Sequence, residues 1–193
     1  MSKTRIGYEL LMLVPAVEVN GVPWIVTPTG LVNYETPTVA ALNVWHGITK
    51  PSDTYASQGG NISCAVLDDL NLGLTDSETD DTKTICSKGN SAALTLYNYD
   101  AELNFKRDKD ITADSLWNLA RDLTRAPDLS YFIVHRVRGE KDSTEPLAIG
   151  DEIDLYYVHT DFPVPGYSDD DPIQTQSAFI PKGIVNVGYD LAA

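Results

Sequence analysis

Apolar and polar positions alternate through the middle of the chain and predict a long β-strand there. From Ala93 onward, one side of the alternation carries Thr95, Tyr97, Tyr99, Ala101, Leu103 and Phe105. The other side carries Asn98, Asp100, Glu102, Asn104 and Lys106. Successive side chains of a strand point to opposite faces of the sheet, so this segment has one face for a core and one face for water.

Similar patterns predict further strands on either side. Ile62 to Leu74 alternates, with a break near Asp68-Asp69 that indicates a bulge. Residues 131–137 form a β-branched and aromatic run, and Gly150-Asp151 opens a strand that continues to Tyr157. Residues 174–180 and 183–189 are predicted as a final pair of strands, joined by a turn at Pro181-Lys182-Gly183.

A single segment, roughly Ala113 to Arg125, has helical period. Its apolar face is formed by Leu116, Trp117, Ala120 and Leu123. Thr112 is the predicted N-cap, and Pro127 prevents continuation. Because no other segment has this period, the apolar stripe is expected to cover a sheet.

The first 60 residues have a different character. Asn20-Gly21 predicts a tight hairpin turn, and Pro23 would restrict the second strand of that hairpin to a sheet edge. Thr27 to Gly60 is rich in proline and glycine, which predicts a long loop or arm. Trp45 and Tyr55 within it are candidate anchors for a partner surface, unless they fold back on their own domain.

These patterns predict a mainly β protein with one domain overall. Residues 1–60 are expected to form an N-terminal hairpin and a long arm, and residues 61–193 a mainly β domain with one flanking helix.

Charge narrows the range of functions. The chain of 193 residues has a formal net charge of −14. Residues 51–82 contain 7 acidic residues and residues 142–181 contain 9, and neither stretch contains Lys or Arg. Such a surface repels nucleic acid, which argues against a protein that reads DNA sequence. Apart from this effect on DNA binding, each acidic stretch is expected to form solvated loops.

The residues that carry chemistry fall into no recognised motif. His46, His135 and His159 lack neighbours at metal-ligand spacing. The acidic run at residues 76–81 lacks the glycine and the final glutamate of a calcium loop. Cys64 and Cys86 are expected to be buried free thiols, with a bridge between neighbouring strands as the alternative. We therefore expect no enzyme activity, no cofactor and no metal.

The N-terminal sequence does not fit a secretion signal. Lys3 and Arg5 precede an apolar run, but Glu9 interrupts its start and Pro15 closes it. No stretch reaches the roughly 18 apolar residues that a membrane span needs.

The order of features from about residue 60 to residue 190 resembles one known family. The matching features are the acidic turn and strand of residues 69–86, the tyrosine-bearing strand ending in Lys106-Arg107-Asp108, the helix with Leu116-Trp117, the strand closing on His135-Arg136, residues 150–158, and the Phe179 to Gly183 turn. In this order they look like the major tail tube proteins of siphophages, notably those of actinobacterial hosts.

The resemblance implies that residues 61–193 form a β-sandwich with one flanking helix, and it implies a structural role in a virion. Subunits made in the host cytoplasm would join their sheets into a barrel within a hexameric ring, and the rings would stack into the tail tube. The partners it implies are further copies of the chain and the tape measure, terminator and distal tail proteins. DNA would pass through the tube without specific binding, and no membrane is implied.

Two other classes remain open. One is a different virion or surface β-sandwich, such as a capsid decoration protein, a tail terminator or a carbohydrate-binding module. The other is an enzyme whose site is scattered along the chain.

The wet face of the longest predicted strand is the candidate lumen surface. It carries Asn98, Asp100, Glu102 and Asn104. In a closed ring this face points either to the channel or outward to solvent. We predict the channel, because the joined sheets form its wall and repeated Asp100 and Glu102 would disfavour phosphate contacts.

Overall fold

The computed structural model describes residues 9–47, 59–67, 71–75, 78–80, 93–106, 108, 110, 115–136, 141–166 and 174–193. Twelve strands lie within these residues: β1 (Leu10–Val19), β2 (Val22–Thr27), β3 (Gly30–Asn33), β4 (Gly60–Asn61), β5 (Asn71–Leu74), β6 (Glu78–Asp80), β7 (Ala93–Leu96), β8 (Tyr99–Lys106), β9 (Ser130–Arg136), β10 (Glu152–Thr160), β11 (Val164–Gly166) and β12 (Gln174–Asp190). The helices are α1 (Val39–Asn43) and α2 (Leu116–Thr124).

The fold is mainly β, as predicted, and its strand pairs are antiparallel. One sheet has 10 strands, in the order β3-β2-β1-β9-β10-β12-β8-β5, with β4 beside β1 and β11 beside β12. Strands β6 and β7 form a separate pair. Among the described strands, β3 and β5 therefore end the main path of the sheet.

The central strands β1, β9 and β10 are buried on both faces. The first core includes Leu11, Leu13, Tyr131, Ile133, Tyr156 and Val158 from these strands, together with residues of β8 and α2. The second core takes their alternate residues, Leu10, Met12, Phe132, Val134, Leu155 and Tyr157 among them, with Leu42, Trp45 and Leu147. Burial on both faces explains why β1 and β9 contain continuous apolar runs rather than alternating ones.

The first hairpin forms as predicted, but its second strand is not an edge. Asn20 and Gly21 have φ of 55° and 79°, and two such residues give the turn whose twist matches paired strands. β2 lies between β1 and β3. Pro23 has no backbone N–H to donate to a neighbouring strand. β2 tolerates it because Pro23 has a partner on one side alone, Glu18 of β1, and the pairing with β3 begins only at Trp24.

Part of the predicted long loop has regular structure. β3 extends the hairpin, and α1 begins after Thr38, whose hydroxyl accepts a hydrogen bond from the Ala41 amide at 3.2 Å. Leu42 of α1 is buried in the second core. The loop prediction is therefore wrong for these two elements, and residues 48–58 lie outside the described residues. The predicted boundary at residue 60 stays a prediction.

The predicted strand from Ala93 to Lys106 is two strands. β7 pairs with β6, whereas β8 pairs with β5 and β12. The Thr75 amide donates to the Asn98 carbonyl at 2.9 Å between them. Within β8 the alternation is confirmed: Tyr99, Ala101, Leu103 and Phe105 are buried, and the residues between them are not.

Two other strand predictions are wrong in detail. Ser63–Ala65 is a short 3₁₀ helix rather than a strand, because the Asn61 side chain accepts hydrogen bonds from the Ser63 amide at 3.0 Å and hydroxyl at 2.6 Å. The final pair of strands is instead the single strand β12. Its first residues pair with β8 and its later residues with β10, and Gly183 has a φ of 71°. Pro181 and Gly183 thus produce an irregularity within a strand instead of a reversal.

α2 covers the first core, as expected, but it begins later than predicted. Its N-cap is Ser115, whose hydroxyl accepts a hydrogen bond from the Asn118 amide at 3.3 Å. Thr112 is not the cap and lies outside the described residues. Ala120 and Leu123 are fully buried, and Leu116 and Trp117 pack against the same core.

Candidate assembly surfaces

Three of the four predicted lumen residues share one face of β8. Asp100 is exposed, and Glu102 and Asn104 are partly buried. β5 lies directly beside them, with Asn71 opposite Glu102 and Gly73 opposite Asp100. The Asn71 amide donates to the Asp100 carboxylate at 3.3 Å. The fourth residue, Asn98, precedes the strand.

Lys106, at the end of this face, is directed toward α2. Among the described residues of β8, Lys106 has the same parity as Asp100 and Glu102. Its ammonium lies 5.2 Å from the centre of the Trp117 ring, a cation–π contact. The part of the face that carries Asp100 and Glu102 is therefore acidic.

The opposite face of β8 is anchored through Tyr99. The Tyr99 hydroxyl donates to the Tyr157 carbonyl of β10 and accepts a hydrogen bond from the Lys182 amide of β12, the latter at 3.0 Å. Burial is the main cause that raises the pKa of Tyr99 to about 12. The hydroxyl therefore stays protonated and keeps β8 fixed to the central sheet at neutral pH.

The two predicted arm anchors have different outcomes. Trp45 is 7% exposed and belongs to the second core. Its indole N–H donates to the Val26 carbonyl at 2.8 Å, which fixes the end of α1 to β2. In the single chain Trp45 is a core residue, and its contact with a partner surface in the assembled tube stays a prediction. Tyr55 lies outside the described residues.

A cluster of Asp128, His159 and Ser130 was not predicted from the sequence. His159 Nδ1 lies 2.8 Å from the Asp128 carboxylate, and its Nε2 lies 3.1 Å from the Ser130 hydroxyl. The three residues meet because Ser130 and His159 are opposite each other in the β9–β10 pair. No local spacing in the sequence signals this, since 29 positions separate the serine from the histidine.

The order of these groups is that of a hydrolytic triad, but their surroundings favour a structural role. The Tyr157 hydroxyl also lies 3.1 Å from His159 Nε2 and shares it with Ser130. Ser130 stands in a regular strand rather than at a sharp strand-to-helix turn, and the Asp128 side chain is 85% exposed. We interpret the cluster as a clasp between the loop after α2 and strand β10.

The cysteine prediction is corrected at one position, since Cys64 is an exposed free thiol rather than a buried one. Cys86 lies outside the described residues. Within the described part of the chain, no three His, Cys, Asp or Glu side chains are grouped to hold a metal ion. The helices described there are all too short or too polar to cross a membrane.

Fold and surface together define an antiparallel β protein with an acidic strand face. The family model described as phage tail tube protein matches residues 20–193, which is most of the chain. The protein therefore belongs to the phage tail tube protein family, and its role is structural, in the tail of the virion, where it assembles with copies of itself. Among curated proteins, none matches the chain.

Proposed function

We propose that this chain forms hexameric rings that stack into the tail tube of a siphophage, and that the tube is an acidic conduit for DNA during ejection. The observation that carries the proposal is the family match over residues 20–193. The proposal goes beyond the family match in three respects, which are the ring size, the type of phage and the passage of DNA.

The arrangement of edges supports a ring. The main path of the sheet ends at β3 on one side and at β5 on the other. An edge strand leaves main-chain donors and acceptors that favour pairing with another chain. Contact between the β3 edge of one copy and the β5 edge of the next would be heterologous, and heterologous contacts generate a ring when the rotation closes.

The charge supports a conduit that releases DNA. The chain has a net charge of −14, and Asp100 and Glu102 lie on the polar face of β8, beside β5. If the ring places this face inward, each ring repeats both carboxylates around the channel. Such a wall would give phosphates no cations to replace their counterions, so DNA would slide rather than bind.

The other expected partners follow from the proposed role in a tail tube. A tube of this kind would meet tape measure protein inside, and terminator and distal tail proteins at its ends, with subunits made in the host cytoplasm. None of these contacts calls for a cofactor.

Negative-stain microscopy of concentrated purified protein tests the proposal. We expect long tubes with a central channel, and sixfold symmetry in end views. Particles that stay monomeric at high concentration and at every ionic strength would contradict it. Tubes with another rotational symmetry would contradict the ring size alone.

A further inference from the structure

The first three strands form a twisted ribbon with two different faces. One face carries Ala16, Pro23 and Ile25, which are buried against the rest of the chain. The apolar cross-strand partners on the other face are Val17 with Trp24, Val19 with Val22, and Val26 with Leu31, and Asn33 of β3 lies opposite Trp24 on its other side. We call the six apolar residues the ribbon face.

The ribbon face is apolar and uncovered within the described part of the chain. Val17, Val19, Val22 and Leu31 are exposed, and Trp24 and Val26 are partly exposed. Among the described residues, neither Trp24 nor Val26 is packed against either of the two cores. Monomeric soluble proteins rarely expose large contiguous apolar patches, and such a patch usually marks an interaction site.

Charge indicates which partner fits. Residues 19–34 contain no Asp, Glu, Lys or Arg, although 22% of the whole chain is charged. Two copies with a net charge of −14 each repel one another over most of their surfaces. The ribbon face lets them approach without bringing carboxylates together or burying an unpaired charge.

The edge of the ribbon supports the same partner. β3 is paired on one side with β2 and ends the main path of the sheet. An apolar face next to an open strand edge invites association unless another surface covers both. A second copy of the chain would cover the face and the edge in one contact.

We propose that the ribbon face is the surface through which each subunit packs on a second copy of this chain. The inference rests on the proposed function, because it takes assembly of many copies as its starting point. It adds a location for the contact, at the N-terminal ribbon, and a mechanism, which is burial of Trp24 and the surrounding valines.

The test compares two matched variants of the full chain. Val22→Asp places a carboxylate on the ribbon face, at a residue that is 43% exposed. Val44→Asp places the same charge at a residue that is 47% exposed but lies at the end of α1. We expect Val22→Asp to raise the protein concentration needed for tubes by more than about tenfold, since an unpaired carboxylate would be buried at the contact. Val44→Asp should assemble like the unchanged protein.

Fluorescence of Trp24 gives a second readout that needs no charged variant. On assembly, the emission of the unchanged protein should shift to shorter wavelength as water leaves the indole group of Trp24. The Trp24→Phe protein should lack most of that shift. If the unchanged protein assembles without any Trp24-dependent shift, the proposed packing is wrong.

The outcomes separate this inference from the proposed function. Tubes of Val22→Asp at the normal concentration would overturn the inference alone. A Trp24 contribution to the emission of the monomer, taken as the difference from Trp24→Phe, that already lies at short wavelength would show that a segment of the same chain covers the face, and would also overturn it. Failure of the unchanged protein to form tubes would overturn the proposed function and this inference with it.

Discussion

Arg136 and Asp151 form an ion pair inside the protein. The guanidinium lies 3.7 Å from the carboxylate, with Arg136 0% and Asp151 9% exposed. The same guanidinium donates to the carbonyls of Glu145, Lys141 and Asp142, the last at 2.8 Å. A single side chain at the end of β9 thus holds the loop that leads into β10, and Lys141 reaches Asp151 at 2.6 Å from the outside.

Replacing the buried arginine should destabilise the subunit strongly. Arg136→Met should lower the free energy of unfolding by about 3–5 kcal/mol, because it leaves the carbonyls of the 141–145 loop without their guanidinium donor and removes the buried partner of Asp151. Arg125→Met, at a side chain that is 50% exposed, is the control and should change it by less than about 1 kcal/mol. Urea unfolding measures both, and equal midpoints for the two variants would contradict the prediction.

Acid should destabilise the fold through His135. Burial lowers the pKa of His135 below its ordinary value, and the carboxylates of Glu9 and Asp154 oppose this shift only in part. The unfolded state therefore binds the proton more tightly. The stability that neutral, buried His135 allows is fully present above the pKa of the unfolded state, about 6.5. It is lost as the pH falls from there to the lower pKa of the folded state.

The measurement is the free energy of unfolding between pH 8 and pH 5. His135→Gln should reduce the loss over this range, because it removes the group that must be protonated on unfolding. His46→Gln should keep the loss, because it leaves His135 in place. The same pH slope in all three proteins would show that other groups cause it.

The Ser130 cluster should contribute stability and no hydrolysis. Ser130→Ala should lower the free energy of unfolding by about 1 kcal/mol, the usual value of one hydrogen bond. A fluorophosphonate probe, which labels activated serines, should leave the protein unmodified. Labelling that disappears in Ser130→Ala would identify Ser130 as a nucleophile and refute the structural interpretation.

The two tryptophans near the N-terminus should respond differently to truncation. Trp45→Ala should cost about 3–5 kcal/mol of stability, because it opens a cavity in the second core and removes the bond to Val26. Trp24→Ala should cost much less in the monomer and should impair assembly more. Chemical denaturation of monomers and sedimentation of concentrated protein measure the two effects, and the reverse ranking in stability would contradict this assignment.

Reversing the charge on the β8 face tests whether it lines the channel. Particles with Asp100→Lys and Glu102→Lys should form tubes but eject DNA more slowly at low salt, and added salt should restore the rate. Glu35→Lys with Asp190→Lys changes the net charge equally at other exposed carboxylates and should leave ejection unchanged. Normal ejection by the first variant at low salt would place the β8 face outside the channel without affecting the tube itself.

Local patterns in the sequence determined the features that need no distant partner. The alternation from Tyr99 to Lys106 predicted the buried and wet faces of β8, because a strand has a side-chain period of two wherever it lies. Asn20-Gly21 predicted the first turn, because both residues adopt a positive φ readily. The stripe of Leu116, Ala120 and Leu123 predicted that α2 covers a core.

Tertiary structure alone decided the features that depend on residues far apart in the chain. Pro181 and Gly183 predicted a turn, but β12 continues through them because β10 supplies a pairing partner for the later residues of β12. The sequence left open whether Trp45 anchors an arm on a partner or folds back on its own domain, and in the single chain the second core offers it an apolar site and a carbonyl. Ser130 and His159 meet only through the register of β9 and β10. In each case the deciding energy comes from burial or pairing between distant segments, which a local pattern does not encode.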